Sequence, residues 1–163
     1  MKILSLAILA CAALSPCPVE EPVITKAADV KWGDHPSIKG AFLAVQSGDP
    51  AKGACVVMMK FPKGTIIPAH THTASEVVTV VSGCAIFGSG VKADASKGAE
   101  LGAGSFIQVP GKSPHWAIAK EEFIITVNFS GAVDFHLCGE KKPFPSDPAA
   151  SGHSRGMIAL LLA

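Results

Sequence analysis

The sequence predicts an all-β domain, a sandwich or barrel of short antiparallel strands with little helix. Three observations carry that expectation. Runs of β-branched and apolar residues recur roughly every ten residues between Trp32 and Glu140, the spacing of a strand plus its turn. Gly, Pro, Ser or Asp separate the runs, and the chain holds 16 glycines and 12 prolines in 163 residues. No window sustains a helical period, and no repeat divides the region.

The strands are expected in this order. Residues 41–46 and 54–61 are apolar runs, the second closed by Pro62-Lys63-Gly64. Residues 65–70 carry Ile66 and Ile67, and 76–81 carry Val77, Val78, Val80 and Val81, stopped by Gly83. Residues 85–88 follow that turn. Residues 105–109 lie between Gly104 and Pro110-Gly111, and 115–119 start after Pro114. Residues 123–129 and 133–137 complete the set. One domain spanning residues 30–140 accommodates all of them, which fits the length of the chain.

Composition excludes some functions. Fourteen basic and 13 acidic side chains leave a net charge of +1 with no basic run. A nucleic-acid partner is therefore not expected, because phosphate binding needs clustered Lys and Arg. The mean hydropathy of +0.39 speaks against disorder.

The first 13 residues pair Lys2 with the apolar run Ile3 to Ala10 and small residues after it, the pattern of a secretory signal peptide. That run falls short of the ~20 residues a membrane span needs, so no transmembrane anchor is expected. Leu14-Ser15-Pro16-Cys17 approaches a lipobox, but Pro16 occupies the small-residue position, so lipidation is the lesser reading. The expectation is a secreted or periplasmic protein with a lead-in at 14–29 and an irregular, Pro-rich tail at 141–163. Export would leave Cys17, Cys55, Cys84 and Cys138 in an oxidising compartment. Their spacing fits no disulfide framework, and Cys55 and Cys84 in apolar runs read as free thiols packed like small hydrophobes.

The chemistry concentrates in one constellation. His70 and His72 are two apart, so on a strand both imidazoles share a face. Glu76 follows at an even offset and shares that face if the chain stays extended through Thr73-Ala74-Ser75. Gly64 and Gly83 bracket the group where turns are needed. Further on, Gly104, Pro110 and His115 form a second cluster. Imidazole nitrogens with a carboxylate oxygen suit Fe, Mn, Zn, Ni, Co or Cu as divalent ions, and suit Ca or Mg poorly. An octahedral ion with four protein ligands keeps two positions open for water, dioxygen or a chelating substrate. Ile66, Ile67, Val78, Val80 and Ile107 are expected to keep the wall of such a site dry.

Gly64-x5-His70-x-His72-x3-Glu76-x6-Gly83 resembles the first motif of the cupin family at every fixed position. Gly104-x5-Pro110 with His115 is similar to the second motif but departs from it twice. Lys112 stands where the family has Gly, and Ala119 stands where it has Asn. The resemblance implies a cupin-type jelly-roll barrel in which His70, His72, Glu76 and His115 hold one divalent transition metal ion. It extends to exported single-domain cupins and to the zinc-binding cupin domains of ChrR-like anti-sigma factors, though no helical sigma-binding region is present here. It also implies assembly as a homodimer through edge strands.

Function is narrowed only partly. The chain has no Tyr, which argues against cupin epimerases and lyases that use a tyrosine acid or base. Glu76 argues against thiol dioxygenases, and one motif pair argues for one barrel. The favoured reading is an oxygenase-type metal enzyme acting on a small organic molecule, with isomerase or hydrolase chemistry behind it. The other reading is a metal or small-ligand binding module or sensor. Glu76 and His136 are the candidate acid–base residues, and Gln108 and Asn128, polar in apolar strands, are candidate substrate contacts. His35 and His153, outside the strand runs, are expected to be solvated.

Overall fold

The computed structural model describes residues 20–139. The leader at 1–13, the start of the lead-in with Cys17, and the tail at 141–163 with His153 lie outside the described residues. In chain order the strands are β1 (Gly33–Asp34), β2 (Phe42–Gly48), β3 (Cys55–Phe61), β4 (Ile66–Thr71), β5 (Glu76–Ser82), β6 (Cys84–Ser89), β7 (Ala99–Gly102), β8 (Phe106–Val109), β9 (His115–Ala119), β10 (Phe123–Phe129) and β11 (His136–Leu137). Helix among the described residues is confined to two 3-10 turns, Ala27–Asp29 and Ala95–Lys97. No described helix is long and apolar enough to cross a membrane.

The strands form two antiparallel sheets. One has six strands in the order β1-β2-β3-β10-β5-β8, the other five in the order β11-β4-β9-β6-β7. Chain neighbours β4, β5 and β6 alternate between sheets, the jelly-roll manner of folding two layers over one core. Residue alternation decides which side chains enter. In β10, Phe123, Ile125, Val127 and Phe129 are buried while Asn128 between them is exposed. Opposite them Val57 and Phe61 of β3 and Val78 and Val80 of β5 complete the wall. Each such side chain stabilises the fold by about 1.5–3 kcal/mol relative to leaving it in water.

The expected strands are present with three differences. The run at 133–137 forms a strand only over its last two residues; before it, Phe135 turns into the cavity between the sheets. β7 and β1 have no counterpart in the expectation. Ala-Glu-Leu-Gly lacks β-branched residues, and β7 exists through its pairing with β6. Glu76 does not continue the strand of His70 and His72. β4 and β5 belong to opposite sheets, so the carboxylate arrives from across the barrel.

A bulge in β4 sets the phase of the histidines. Ile67 faces Ala117 and His70 faces His115, so Pro68 and Ala69 together oppose the single residue Trp116. The extra residue turns His70 inward after the inward Ile67. Pro68 suits the place because it has no ladder N–H to lose.

Gly64 and Gly83 hold φ values of +83° and +77°, open to glycine at little cost. A Cβ on Gly83 would also lie 1.8 Å from the Glu122 carbonyl oxygen. Lys112, standing at the family's glycine position, holds the same left-handed conformation at φ +64°. It is kept there by its amide, which donates to the His72 carbonyl at 2.6 Å.

Candidate metal centre

His70 comes from β4, His72 from the residue just after its end, His115 from the first position of β9, and Glu76 from the first position of β5. All four are buried, between 4 and 6% exposed. Each histidine offers a ring nitrogen within 4.8 Å of the others, an arrangement that could hold a metal ion. Glu76 joins them: its Oε1 lies 3.0 Å from His115 Nε2 and its Oε2 lies 3.7 Å from His72 Nε2.

The tautomers are set by backbone. His70 Nδ1–H donates to the Pro68 carbonyl at 2.7 Å, His115 Nδ1–H to the Ser113 carbonyl at 3.0 Å, and His72 Nδ1–H to the Asp134 carbonyl. With the proton on Nδ1, each neutral ring presents an Nε2 lone pair. Such outer hydrogen bonds fix ring orientation and raise ligand basicity at metal sites. Three imidazoles and a carboxylate fit a borderline divalent cation by donor type.

The connection from His72 to Glu76 is clamped from three sides. The Thr73 amide donates to Asp134 Oδ1 at 2.7 Å, the Ser75 amide to Ser130 Oγ at 3.1 Å, and the Lys112 amide reaches back to His72. Gly111 packs against the same turn, where a Cβ would lie 2.5 Å from the Thr73 carbonyl oxygen.

Electrostatics separates the three rings. Burial, then the neighbouring His115, pushes His70 down to about 3. Burial also lowers His72, although the Glu76 carboxylate pulls the other way. Burial works against a charged His115 too, but there the hydrogen bond and charge of Glu76 prevail and raise it.

The site opens into a cavity of about 60 Å³ between the sheets. At 10–15 Å³ for each water-sized centre, that is room for roughly four to six small groups. Phe61, Phe87, Trp116, Phe123 and Phe135 supply much of the wall. Phe135 stacks on His70 with centroids 4.2 Å apart and 21° between planes. Of the residues expected to dry the wall, Ile67, Val78 and Ile107 line the cavity and Val80 is buried in the core, but Ile66 points out and is 58% exposed.

Several candidate residues lie elsewhere. Gln108 and Asn128 are exposed on the outer face of the six-stranded sheet, at the positions that alternate with Val109 and Phe129. His136 is exposed, with its Nε2 3.0 Å from Asp134 Oδ2, and its neighbour Phe135 takes the place over the site. Phe135 turns into the cavity just before β11 begins, and His136 at the first position of that strand points outward. Among the described cysteines, Cys55, Cys84 and Cys138 form no disulfide. Cys55 is buried, whereas Cys84 is half-buried with its thiol on Glu100 Oε1 at 3.4 Å.

His35 is the residue that sequence reasoning missed. It is half-buried and lines the cavity rather than facing solvent. A lone histidine before Pro36 carries no motif, and only the β1–β2 hairpin brings it to the barrel.

Residues 57–127 match the family described as Cupin domain. No curated protein matches the chain. The structure is similar to the polyketide cyclase RemF from Streptomyces resistomycificus, at 18% identity and a TM-score of 0.59, covering 72% of this chain and 85% of that one. It is similar to a conserved protein with a double-stranded beta-helix domain from Klebsiella pneumoniae, at 23% identity and a TM-score of 0.56, covering 72% and 98%. It is also similar to an RmlC-like cupin from Shewanella frigidimarina, at 21% identity and a TM-score of 0.55, covering 68% and 91%. Likeness at these identities speaks to the fold alone. The two histidine motifs lie within the matched residues 57–127, over which the chain is similar to the cupin family, and the jelly-roll sheets are the fold of these structural neighbours.

Proposed function

We propose that the protein is a metal-dependent enzyme acting on a small, mostly apolar organic molecule, with His70, His72, His115 and Glu76 as the ligands of one divalent transition ion. The observation that carries this reading is the set of three buried imidazoles whose Nδ1 protons are all committed to backbone carbonyls, leaving three Nε2 lone pairs for one cation. Bound there, such an ion supplies Lewis acidity and, if it is iron, manganese or copper, a redox couple. The chain supplies the rest. Aromatic walls exclude water and strengthen charge interactions inside. Glu76 Oε1 lies 3.0 Å from His115 Nε2 and so faces the same space as the imidazoles, where its carboxylate would accept a proton from a molecule bound there or return one.

Oxygenase-type turnover is the preferred reaction class, because an octahedral ion held by four protein ligands would keep positions free for dioxygen and substrate beside the apolar cavity. RemF, a polyketide cyclase of similar fold, favours the non-redox alternative. Elemental analysis of protein from its native compartment, followed by oxygen uptake with a panel of small oxidisable chelators, separates the two. Iron or manganese with uptake is the expected result. Zinc without uptake moves the reading to Lewis-acid chemistry, and a metal-replete protein with no turnover in either mode reduces it to a binding module. Export rests on the leader at 1–13 and is tested by the N-terminus of the mature protein. A homodimer is proposed through the β8 edge, where Phe106 is 63% exposed, and is tested by sedimentation.

A further inference from the structure

The cavity has a second polar point. Apart from the four site residues, His35 and Trp116 are the only polar side chains lining it among the described residues. The Trp116 indole N–H is spent on the Ser89 carbonyl at 3.3 Å. His35 is held firmly. Its own amide donates to the Ala41 carbonyl at 2.9 Å, and its ring lies 6.0 Å from the buried Phe61 ring. His35 Nδ1 accepts from the amides of Ser37 and Ile38, both at 3.2 Å. An accepting Nδ1 carries no proton, so the neutral ring bears it on Nε2. Burial, then the charge of His72, pushes this histidine down to about 4, which keeps it neutral near pH 7. Its Nε2 has no hydrogen-bond partner among the described residues, and no buried side-chain polar atom there is left unsatisfied, so Nε2–H remains accessible.

The tautomer is opposite to that of the three site histidines. They keep Nε2 bare and suited to a cation, whereas His35 keeps Nε2 protonated and suited to an oxygen. We propose that His35 is a specificity residue, a fixed hydrogen-bond donor that recognises an oxygen acceptor, a carbonyl above all, carried by the same small molecule whose other end meets the metal site. This rests on the metal-site reading above and adds the ligand's second functional group. The ligand class becomes a short apolar chain or ring with a chelating head and a separate carbonyl or similar oxygen.

His35 also closes its own turn, because its Nδ1 takes the amides two and three residues on, as an asparagine side chain does in an Asx turn. His35→Asn therefore keeps the turn and withdraws the cavity donor. The test uses the cobalt-loaded full chain and alkyl hydroxamates, read by the cobalt visible spectrum. Acetohydroxamate reports the metal end alone. Keto hydroxamates with one, two or three methylenes between head and carbonyl are each compared with the alkyl hydroxamate of equal length.

In the wild type at least one keto compound is expected to bind about 3–10-fold more tightly than its alkyl counterpart, the worth of one neutral hydrogen bond. In His35→Asn that preference disappears while acetohydroxamate binding and thermal midpoint stay unchanged. Nitrogen-resolved NMR of the zinc-loaded protein is expected to show the His35 proton on Nε2. A proton on Nδ1, no preference at any length in the wild type, or the same preference in His35→Asn would overturn the assignment. Failure of acetohydroxamate to bind the wild type at all would instead strike the metal-site reading.

Discussion

Removing one imidazole should abolish the thermal effect of metal. The perturbation is His72→Ala, read in chelator-stripped protein titrated with zinc. His72 is buried, its Nδ1 proton is committed to the Asp134 carbonyl, and its Nε2 lies among the other donors. In the wild type a ligand that binds only the folded chain at about 100 times its Kd adds roughly 2.7 kcal/mol. About 120 described residues give an intermediate sensitivity, so that increment should raise the thermal midpoint by roughly 8–14 °C. In His72→Ala two imidazoles remain, and the rise should shrink to a degree or two at the same zinc concentration. The variant should also melt earlier without zinc, by the ~1–3 kcal/mol of an orphaned carbonyl and a cavity. The assay is differential scanning fluorimetry with elemental analysis of the dialysed protein. An equal zinc-induced rise in both proteins, with equal metal content, would refute the ligand assignment.

Other consequences follow from the same geometry. Metal-free protein should lose stability on acidification, because His35 and His70, at about 4 and 3, and the lowered His72 resist protons that the unfolded chain takes up near 6.5. That contribution is complete above pH 6.5 and lost as pH falls toward 4. His115, raised by Glu76, opposes it with stability lost as pH rises through its own pKa, so unfolding free energies from urea titrations at pH 7 and pH 4.5 should still differ by about 1–3 kcal/mol, and equal values would contradict the burial of these rings. Lys112→Gly should stabilise the protein by about 0.5–1 kcal/mol in urea, since the left-handed penalty of 1–2 kcal/mol exceeds the extra chain entropy of glycine. Gly88→Ala should cost about 1–3 kcal/mol, because its Cβ would lie 2.1 Å from Trp116 Cζ2, and a melting curve matching wild type would show that the indole can move aside. Gln108→Ala and Asn128→Ala should leave metal content and stability within about 0.5 kcal/mol of wild type, as expected for outward positions.

The primary sequence determined the fold class and the ligand candidates. Strand runs and turn residues recur at short range, and local spacing is sufficient to reveal them. His70, His72, Glu76 and His115 were legible because glycines and a proline at fixed offsets frame them. Tertiary structure decided the rest. The bulge at Pro68-Ala69 chose which face the histidines share, and the change of sheet between β4 and β5 brought Glu76 from the opposite wall. Long-range pairing also recruited β7, which has weak strand propensity of its own. The inward turn of Phe135 and the hairpin that places His35 depend on contacts between segments distant in the chain. Periodicity in one segment says which residues alternate, but only the packing of a second segment against it says which side is in.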